Sequence, residues 1–219
     1  ATRTSRLHTG HADKRIVTRI WVGEHRKELF SHLMERIRAG EQIAIIYPLR
    51  EEVAQETLRD AVGAAKQWEK LFPGKVRLVH GAQKNEEKQQ AIDDMKKGEA
   101  QILISTTVIE VGVTIPSLTT MAVIDAGRFG LSQLHQLRGR LVRHGGTGYF
   151  DLFVPNPTPE SLERLGILER SNDGFEIAHH DLCLRGQGSL PGTEQSGTDY
   201  GVLIPKRRSI TGIDYEIID

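Results

Sequence analysis

Short, mostly apolar runs alternate with longer stretches of helical hydrophobic period along residues 16–154 of this chain. We expect strands at residues 16–22, 43–47, 76–79, 101–105, 121–125 and 149–154. Several of these runs lack the polar alternation of a half-exposed strand, which indicates strands covered on both faces. Strand–helix alternation favours parallel pairing through right-handed crossovers, so the pattern predicts an α/β fold.

The helical pattern that starts at residue 131 carries four leucines at core spacing, which are Leu131, Leu134, Leu137 and Leu141. Its polar edge is then expected to carry Gln133, Gln136, Arg138, Arg140 and Arg143. Because Arg140 and Arg143 are three residues apart, one continuous helix would present both on the same face. Two guanidiniums directed at one place suit a ligand with several phosphates, and a solvated basic helix edge has the same pattern.

The pattern changes near residue 155, which predicts a main domain over residues 1–155 and a smaller unit over residues 156–219. Thr158 and Pro159 are good residues for a helix start, and a second helical pattern follows over residues 175–182. This predicts a helical hairpin in which Phe175, Ile177 and Leu182 are buried. Residues 185–201 are rich in Gly, Ser and Thr, so we expect a loop there.

Composition excludes several classes of protein. One cysteine, Cys183, excludes an internal disulfide and a multi-cysteine zinc site, and no metal site is predicted. No apolar run approaches the ~20 residues of a membrane span, so a soluble cytoplasmic protein is expected. The balance of 29 basic and 29 acidic residues argues against a uniformly basic nucleic-acid binder. Because the sequence begins without methionine in a polar stretch, we expect a domain of a longer protein.

Two threonines, Thr106 and Thr107, follow the predicted strand at residues 101–105. Hydroxyls and backbone N–H groups at the carboxyl end of a parallel strand face the ligand crevice of such sheets. Gly112, a little further on, lets a ligand approach the backbone closely. The segment suits a bound phosphate, although an ordinary strand followed by a threonine-capped turn has the same sequence features.

Several segments, taken in order, resemble the second motor domain of superfamily 2 helicases. STTVIEVGVTIP is similar to motif V, QLHQLRGRLVR to motif VI and IAIIYPLREE to the strand of motif IV. LVHGAQKNEEKQQAIDDMKKGE resembles the segment that precedes motif V, and SNDGFEIAHHDLCLRGQGSLPGTEQSG resembles the translocation motif of the RecG family. The resemblance covers residues 16–197 and implies a RecA-like, doubly wound parallel sheet with a helical hairpin and loop extension.

The resemblance also implies roles for individual residues. Arg140 and Arg143 match the arginines of motif VI, one of which acts as an arginine finger on ATP, and Gln136 matches the glutamine of that motif. Glu110 and Gly112 match motif V positions near the nucleotide. DNA contacts or coupling to DNA movement are implied for Thr106, Thr107, Arg185 and Gln195.

Two positions depart from the family pattern. The family usually has glycine where Val142 stands and aspartate where Thr114 stands. Thr114 removes a carboxylate expected near the ribose of the nucleotide, and Val142 adds bulk between the two motif VI arginines. Either change would weaken coupling to the nucleotide or mark a divergent relative.

No G-x-x-x-x-G-K-[ST] motif occurs in the sequence, so the chain has no phosphate cradle of its own. The resemblance implies that ATP and Mg²⁺ are held mainly by a first motor domain of the same protein. The implied partners are that first motor domain and branched or duplex DNA, without a membrane, and the implied state is a monomer. We therefore expect the chain alone not to hydrolyse ATP.

The expected function is that of the second motor domain of an ATP-dependent helicase that remodels forks and junctions in DNA repair and recombination. A transcription-repair coupling translocase shares the motor motifs and the translocation motif. A helicase-like module that binds DNA or protein without cycling is a third possibility, suggested by Val142 and Thr114. A dinucleotide-binding enzyme is disfavoured because no G-x-G-x-x-G opens a helix.

Overall fold

The computed structural model describes residues 4–7, 14–49, 53–106 and 115–187. The strands in these segments are β1 (Thr4–Leu7), β2 (Lys14–Val22), β3 (Gln42–Ile46), β4 (Val76–Val79), β5 (Ile102–Ser105), β6 (Leu118–Ile124) and β7 (Gly146–Val154). They form one sheet in the order β1-β2-β7-β6-β3-β5-β4. Every neighbouring pair from β2 to β4 is parallel, and β1 runs antiparallel along β2.

All six predicted strands are confirmed, with ends that shift by up to three residues. The largest shifts are at the amino ends of β6 and β7, where threonines and glycines interrupt the apolar run. Thr120, Gly146 and Gly148 still pair with neighbouring strands, and Thr119 lies at a shift in register between β6 and β3. The sequence did not indicate β1, because a four-residue segment with one apolar side chain has no strand signature.

Six α-helices of the described segments cover the two faces of the sheet. They are α1 (Arg26–Arg38), α2 (Ala54–Leu71), α3 (Asn85–Lys96), α4 (Leu131–Arg138), α5 (Pro159–Arg170) and α6 (Gly174–Gln187). The apolar residues of α1 and α2 form one core with one sheet face. Those of α3, α4, α5 and α6 form a second core with the opposite face. The predicted doubly wound α/β sheet is therefore confirmed.

The predicted hairpin is formed by α5 and α6. The Thr158 hydroxyl accepts from the Ser161 N–H at 3.1 Å, and Pro159 is the first helical residue, so the predicted helix start is confirmed. Leu165 and Leu168 join the core beneath α4. The hairpin thus shares its core with the sheet, while the domain boundary at residues 155–156 stays a prediction.

The second hairpin helix differs from the prediction in two ways. Ile177 is fully buried, but Phe175 is 88% exposed and Leu182 is 68% exposed. Phe175 and Leu182 are seven residues apart and share a helix face, whereas Ile177 lies two residues from Phe175 and points almost opposite, so burying one face exposes the other. The helix also continues to Gln187, so Arg185 lies on a helix and not in the predicted loop.

Among the described helices, none combines the length and the apolar character needed to cross a bilayer.

Candidate functional site

Residues 139–145 form a loop, here called the arginine loop, that carries Arg140 and Arg143. The helix α4 ends at Arg138, so the predicted continuous helix through Arg143 is wrong. The Arg140 N–H donates to the Leu137 carbonyl at 3.1 Å, and this tightens the last turn. The two arginines therefore project from a loop and do not share a helix face.

Val142, in the middle of the loop, has a left-handed backbone with φ of 49°. Its N–H donates to the Leu118 carbonyl at 3.0 Å, and its side chain is buried. A β-branched residue is strained in this conformation, which glycine adopts freely. The positive φ gives a physical reason for the glycine that the resemblance implies at this position, because glycine adopts this backbone conformation without strain.

The arginine loop lies at the amino-terminal edge of the parallel sheet. Leu118 and Lys14, which contact this loop, are the first residues of β6 and β2. Thr106 follows the carboxyl end of β5 and therefore lies at the opposite edge. At about 3.3 Å per residue, a strand as long as β6 separates the two edges by roughly 20 Å. The structure does not bring Thr106 together with Arg140 and Arg143.

The loop arginines are available to an anionic ligand. Arg143 is exposed and Arg140 is half-buried. Within the described segments, no carboxylate lies at ion-pair distance from either guanidinium. Unpaired guanidiniums on one loop are suited to bind phosphate groups, because each presents several donors in a planar fork.

The other predicted site residues are distributed as follows. Gln136 is exposed on α4, and Arg185 lies near the end of α6. Thr106 is 1% exposed, and its N–H donates to the Val79 carbonyl at 3.1 Å. Four further predicted site residues lie outside the described residues: Thr107, Glu110, Gly112 and Gln195. Thr114, which departs from the family pattern, also lies outside them.

Arg138 makes buried contacts beside the arginine loop that the sequence pattern did not indicate. It was expected on the polar edge of α4 but is 1% exposed. Its Nη2 donates to the Ser171 carbonyl at 2.8 Å, and its Nη1 donates to the Leu168 carbonyl and, at 3.3 Å, to the Thr18 hydroxyl. Arg138 follows Leu134 by four residues, a spacing that places it on the same helix face as the leucine stripe.

Burial lowers the pKa of the Arg138 guanidinium to about 10, so the group stays cationic at neutral pH. A buried cation without a carboxylate partner is stable only when carbonyl oxygens surround it. The Leu168 carbonyl belongs to the last turn of α5, and the Ser171 carbonyl belongs to the turn between the hairpin helices. Arg138 therefore ties the end of α4 to the hairpin.

The hairpin also holds the other end of α4. Arg164 of α5 donates to the Phe129 carbonyl at 2.8 Å and to the Gly127 carbonyl at 2.5 Å. Asp181 of α6 accepts from the Leu131 N–H at 3.3 Å, which satisfies a donor at the start of α4. Because both ends of α4 are held, the helix and the hairpin form one packed unit.

His135 adds a titratable contact to this unit. Its Nδ1 lies 3.1 Å from Arg138 Nη2, and since arginine only donates, Nδ1 must accept. Burial lowers the pKa of His135, the charge of Arg138 lowers it further, and Asp173 opposes both effects. Protonation at Nδ1 would remove the hydrogen bond and place two cations side by side.

We expect the stability of the chain to fall on acidification partly through His135. The folded-state pKa lies below the unfolded value of about 6.5, so this contribution is complete above that pH and is lost as pH falls toward the folded pKa. The variant His135→Asn keeps an acceptor near the Nδ1 position but does not titrate. Urea unfolding at pH 7.5 and 5.5 should show that the free energy of unfolding falls less between these two pH values in His135→Asn than in wild type. Equal losses in the two proteins would contradict this role.

The chain is similar to known helicases in sequence. The family model for the helicase conserved C-terminal domain matches residues 25–145, and that for ATP-dependent DNA helicase RecG, domain 3, C-terminal, matches residues 171–208. The ATP-dependent DNA helicase RecG of Aquifex aeolicus is 43% identical over 189 residues, which cover 84% of this chain and 24% of the relative. RecG of Streptococcus pneumoniae is 43% identical over 187 residues, covering 84% of this chain and 28% of the relative.

A solved structure of RecG bound to a three-way DNA junction superposes with a TM-score of 0.67 at 34% identity, over 83% of this chain and 24% of that chain. The helicase MrfA bound to DNA superposes with a TM-score of 0.56 at 13% identity, over 84% of this chain and 30% of that chain, and shares the fold. The chain spans about a quarter of the length of the curated relatives it matches. The resemblance drawn from the motifs is confirmed, since the RecG-specific model and the RecG relatives also match, and the chain belongs to the helicase conserved C-terminal domain family.

Proposed function

We propose that this chain is the second motor domain of an ATP-dependent DNA helicase that remodels branched DNA. The observation that carries the proposal is the arginine loop. Its two guanidiniums have no carboxylate partner among the described residues, and the loop directly follows a helix that the hairpin holds at both ends. The names of the relatives support the substrate class, since they are ATP-dependent DNA helicases and one is bound to a three-way junction.

Arg140 and Arg143 would bind the phosphates of ATP and stabilise the negative charge that develops during phosphoryl transfer. Gln136, Glu110 and Gly112 are proposed to complete the nucleotide contacts of this domain. Because the sequence has no P-loop motif, we propose that a first motor domain holds the nucleotide and the Mg²⁺ that neutralises phosphate charge. The fit of this chain to ATP rests on the guanidiniums of Arg140 and Arg143, which have no carboxylate partner within the described segments.

The packed unit of α4 and the hairpin supports a mechanism for coupling. A change at the arginine loop when the nucleotide is hydrolysed would move α4, and Arg138, Arg164 and Asp181 would carry that movement to the hairpin. Motions of this kind are rigid-body rotations of packed elements. We propose that Thr106, which follows the carboxyl end of β5 at the opposite sheet edge, and Thr107 contact DNA, and that Arg185 and Gln195 couple the hairpin to DNA. We also propose that the protein is a monomer and acts in the cytoplasm.

A transcription-repair coupling translocase would use the same motor. The match of residues 171–208 to the RecG-specific model favours the RecG type. A module that binds without hydrolysis is favoured by one observation, the strained Val142 between the two arginines.

The proposal is tested by ATP hydrolysis with and without a first motor domain. We expect the 219-residue chain alone to show no turnover, and the protein assembled with that first domain to hydrolyse ATP. Robust turnover by the chain alone, unchanged by Arg143→Ala, would contradict the division of roles. An inactive assembled protein that becomes active with Val142→Gly would show that this chain binds without cycling.

A further inference from the structure

Lys14, the first residue of β2, contacts the start of the arginine loop although it lies 125 positions earlier in the chain. Its Nζ donates to the Gly139 carbonyl at 2.9 Å. Gly139 follows the last residue of α4, where helix carbonyls have no partner within the helix. An ammonium group there also meets the negative end of the helix dipole. Lys14 therefore caps the helix that leads into the arginine loop.

The remainder of the arginine loop is fixed independently of Lys14. The Val142 N–H donates to the Leu118 carbonyl at 3.0 Å, and the Gly145 N–H donates to the Val142 carbonyl at 2.9 Å. Gly146 then enters β7 and pairs in register with Lys14 of β2. Lys14 thus holds the backbone just before Arg140, at Gly139, and the hydrogen bonds of Val142 hold the backbone just after it. The position of Arg140 therefore depends on both sets of contacts.

The charge environment of Lys14 is not that of an ordinary surface lysine. Burial lowers the pKa of the ammonium, and the neighbouring charge of Arg143 lowers it further. Within the described segments, no carboxylate lies at ion-pair distance from Lys14. Two cations held together in this way repel each other, and a polyanionic ligand at the loop would relieve the repulsion.

We propose that Lys14 is a positioning residue for phosphoryl transfer: its ammonium fixes the first carbonyl of the arginine loop and thereby sets where Arg140 and Arg143 meet the phosphates. The inference rests on the proposed function, since it assumes that the loop arginines act on a nucleotide. It extends the site to a residue outside every helicase motif in the sequence. Lys14→Met removes the donor and keeps the stem, and Lys14→Arg restores a cationic donor.

The first readout needs no nucleotide. In the 219-residue chain, Lys14→Met should raise amide hydrogen exchange at Arg140, Leu141 and Val142 by about tenfold, the effect of losing one hydrogen bond. Exchange within β6, which does not contact Lys14, should be unchanged. Lys14→Arg should return the loop amides most of the way to wild type. Lys27→Met, an exposed lysine on α1, is the matched control and should change nothing.

The second readout is steady-state ATP hydrolysis by the protein assembled with its first motor domain. Lys14→Met should lower kcat about tenfold and leave KM for ATP and the affinity for DNA within about twofold. The reason is that displaced loop arginines stabilise the transition state less but change ground-state binding little. Lys14→Arg should recover most of the turnover.

Arg143→Ala, measured in the same assay, separates the two levels of the proposal. If Arg143→Ala lowers turnover and Lys14→Met changes neither loop exchange nor kcat, the role of Lys14 is refuted and the proposed function stands. If Arg143→Ala has no effect, the proposed function itself fails. Faster exchange throughout the sheet in Lys14→Met, or a rise in KM with unchanged kcat, would also overturn a positioning role.

Discussion

Replacing Arg143 by alanine is expected to lower the ATP turnover of the assembled helicase by about a thousandfold or more. Arginine fingers contribute about 10³ to 10⁵ in related phosphoryl-transfer systems, because they stabilise charge that appears only in the transition state. Arg143 is exposed on the arginine loop and has no carboxylate partner among the described residues. Its removal is therefore expected to cost transition-state stabilisation without breaking an ion pair within the described segments.

The measurement is kcat and KM for ATP together with DNA affinity, for Arg143→Ala and for Arg140→Ala. We expect kcat to fall and DNA affinity to stay within about twofold of wild type, because the loop lies at the sheet edge opposite Thr106. Arg59→Ala is the matched control, since Arg59 is exposed on α2 at the other face of the sheet. A loss of less than tenfold with both loop arginines would count against the assignment.

Replacing Arg138 by methionine is expected to lower the free energy of unfolding by about 3 kcal/mol or more. The change keeps much of the side-chain volume but removes the donors to the Leu168 and Ser171 carbonyls and to the Thr18 hydroxyl. Each buried acceptor left without a partner costs about 1–3 kcal/mol. The loss should open the hairpin first, because two of the three acceptors belong to it, Leu168 in the last turn of α5 and Ser171 in the turn that follows.

Urea unfolding of the 219-residue chain measures the stability, and amide exchange over residues 168–174 locates the opening. Arg170→Met is the control, since Arg170 is exposed at the end of α5. Arg138→Lys keeps a cation that reaches fewer acceptors, so an intermediate loss is expected. A loss below about 1 kcal/mol in Arg138→Met would mean that the buried hydrogen bonds do not hold the hairpin.

Strand positions could be predicted because buried parallel strands carry continuous apolar runs, as in β3 and β5, where every residue is buried. The start of α5 could be predicted because Thr158 and Pro159 form a local signal that needs no tertiary context. The exposure of Phe175 and Leu182 could not be predicted, because hydrophobicity alone does not decide which face of a helix meets the core.

The contacts that organise the site join residues far apart in sequence. Lys14 and Gly139 are separated by 125 positions, and Arg138 and Thr18 by 120. Register between β2 and β7 creates the first contact, and the packing of α4 on the sheet creates the second. The end of α4 at Arg138 could not be predicted either. QLRGRLVR has good helical spacing, and the left-handed backbone of Val142 occurs together with a hydrogen bond to Leu118, a residue distant in sequence.

The most direct test compares ATP hydrolysis by the assembled protein on three-way junction DNA and on linear duplex of equal length. A RecG-type motor should hydrolyse ATP much faster on the junction than on the linear duplex, and the difference should disappear with Arg143→Ala. Equal rates on the two DNAs, or a junction response that survives Arg143→Ala, would contradict the assignment of this chain as the arginine-bearing motor domain of a branched-DNA helicase.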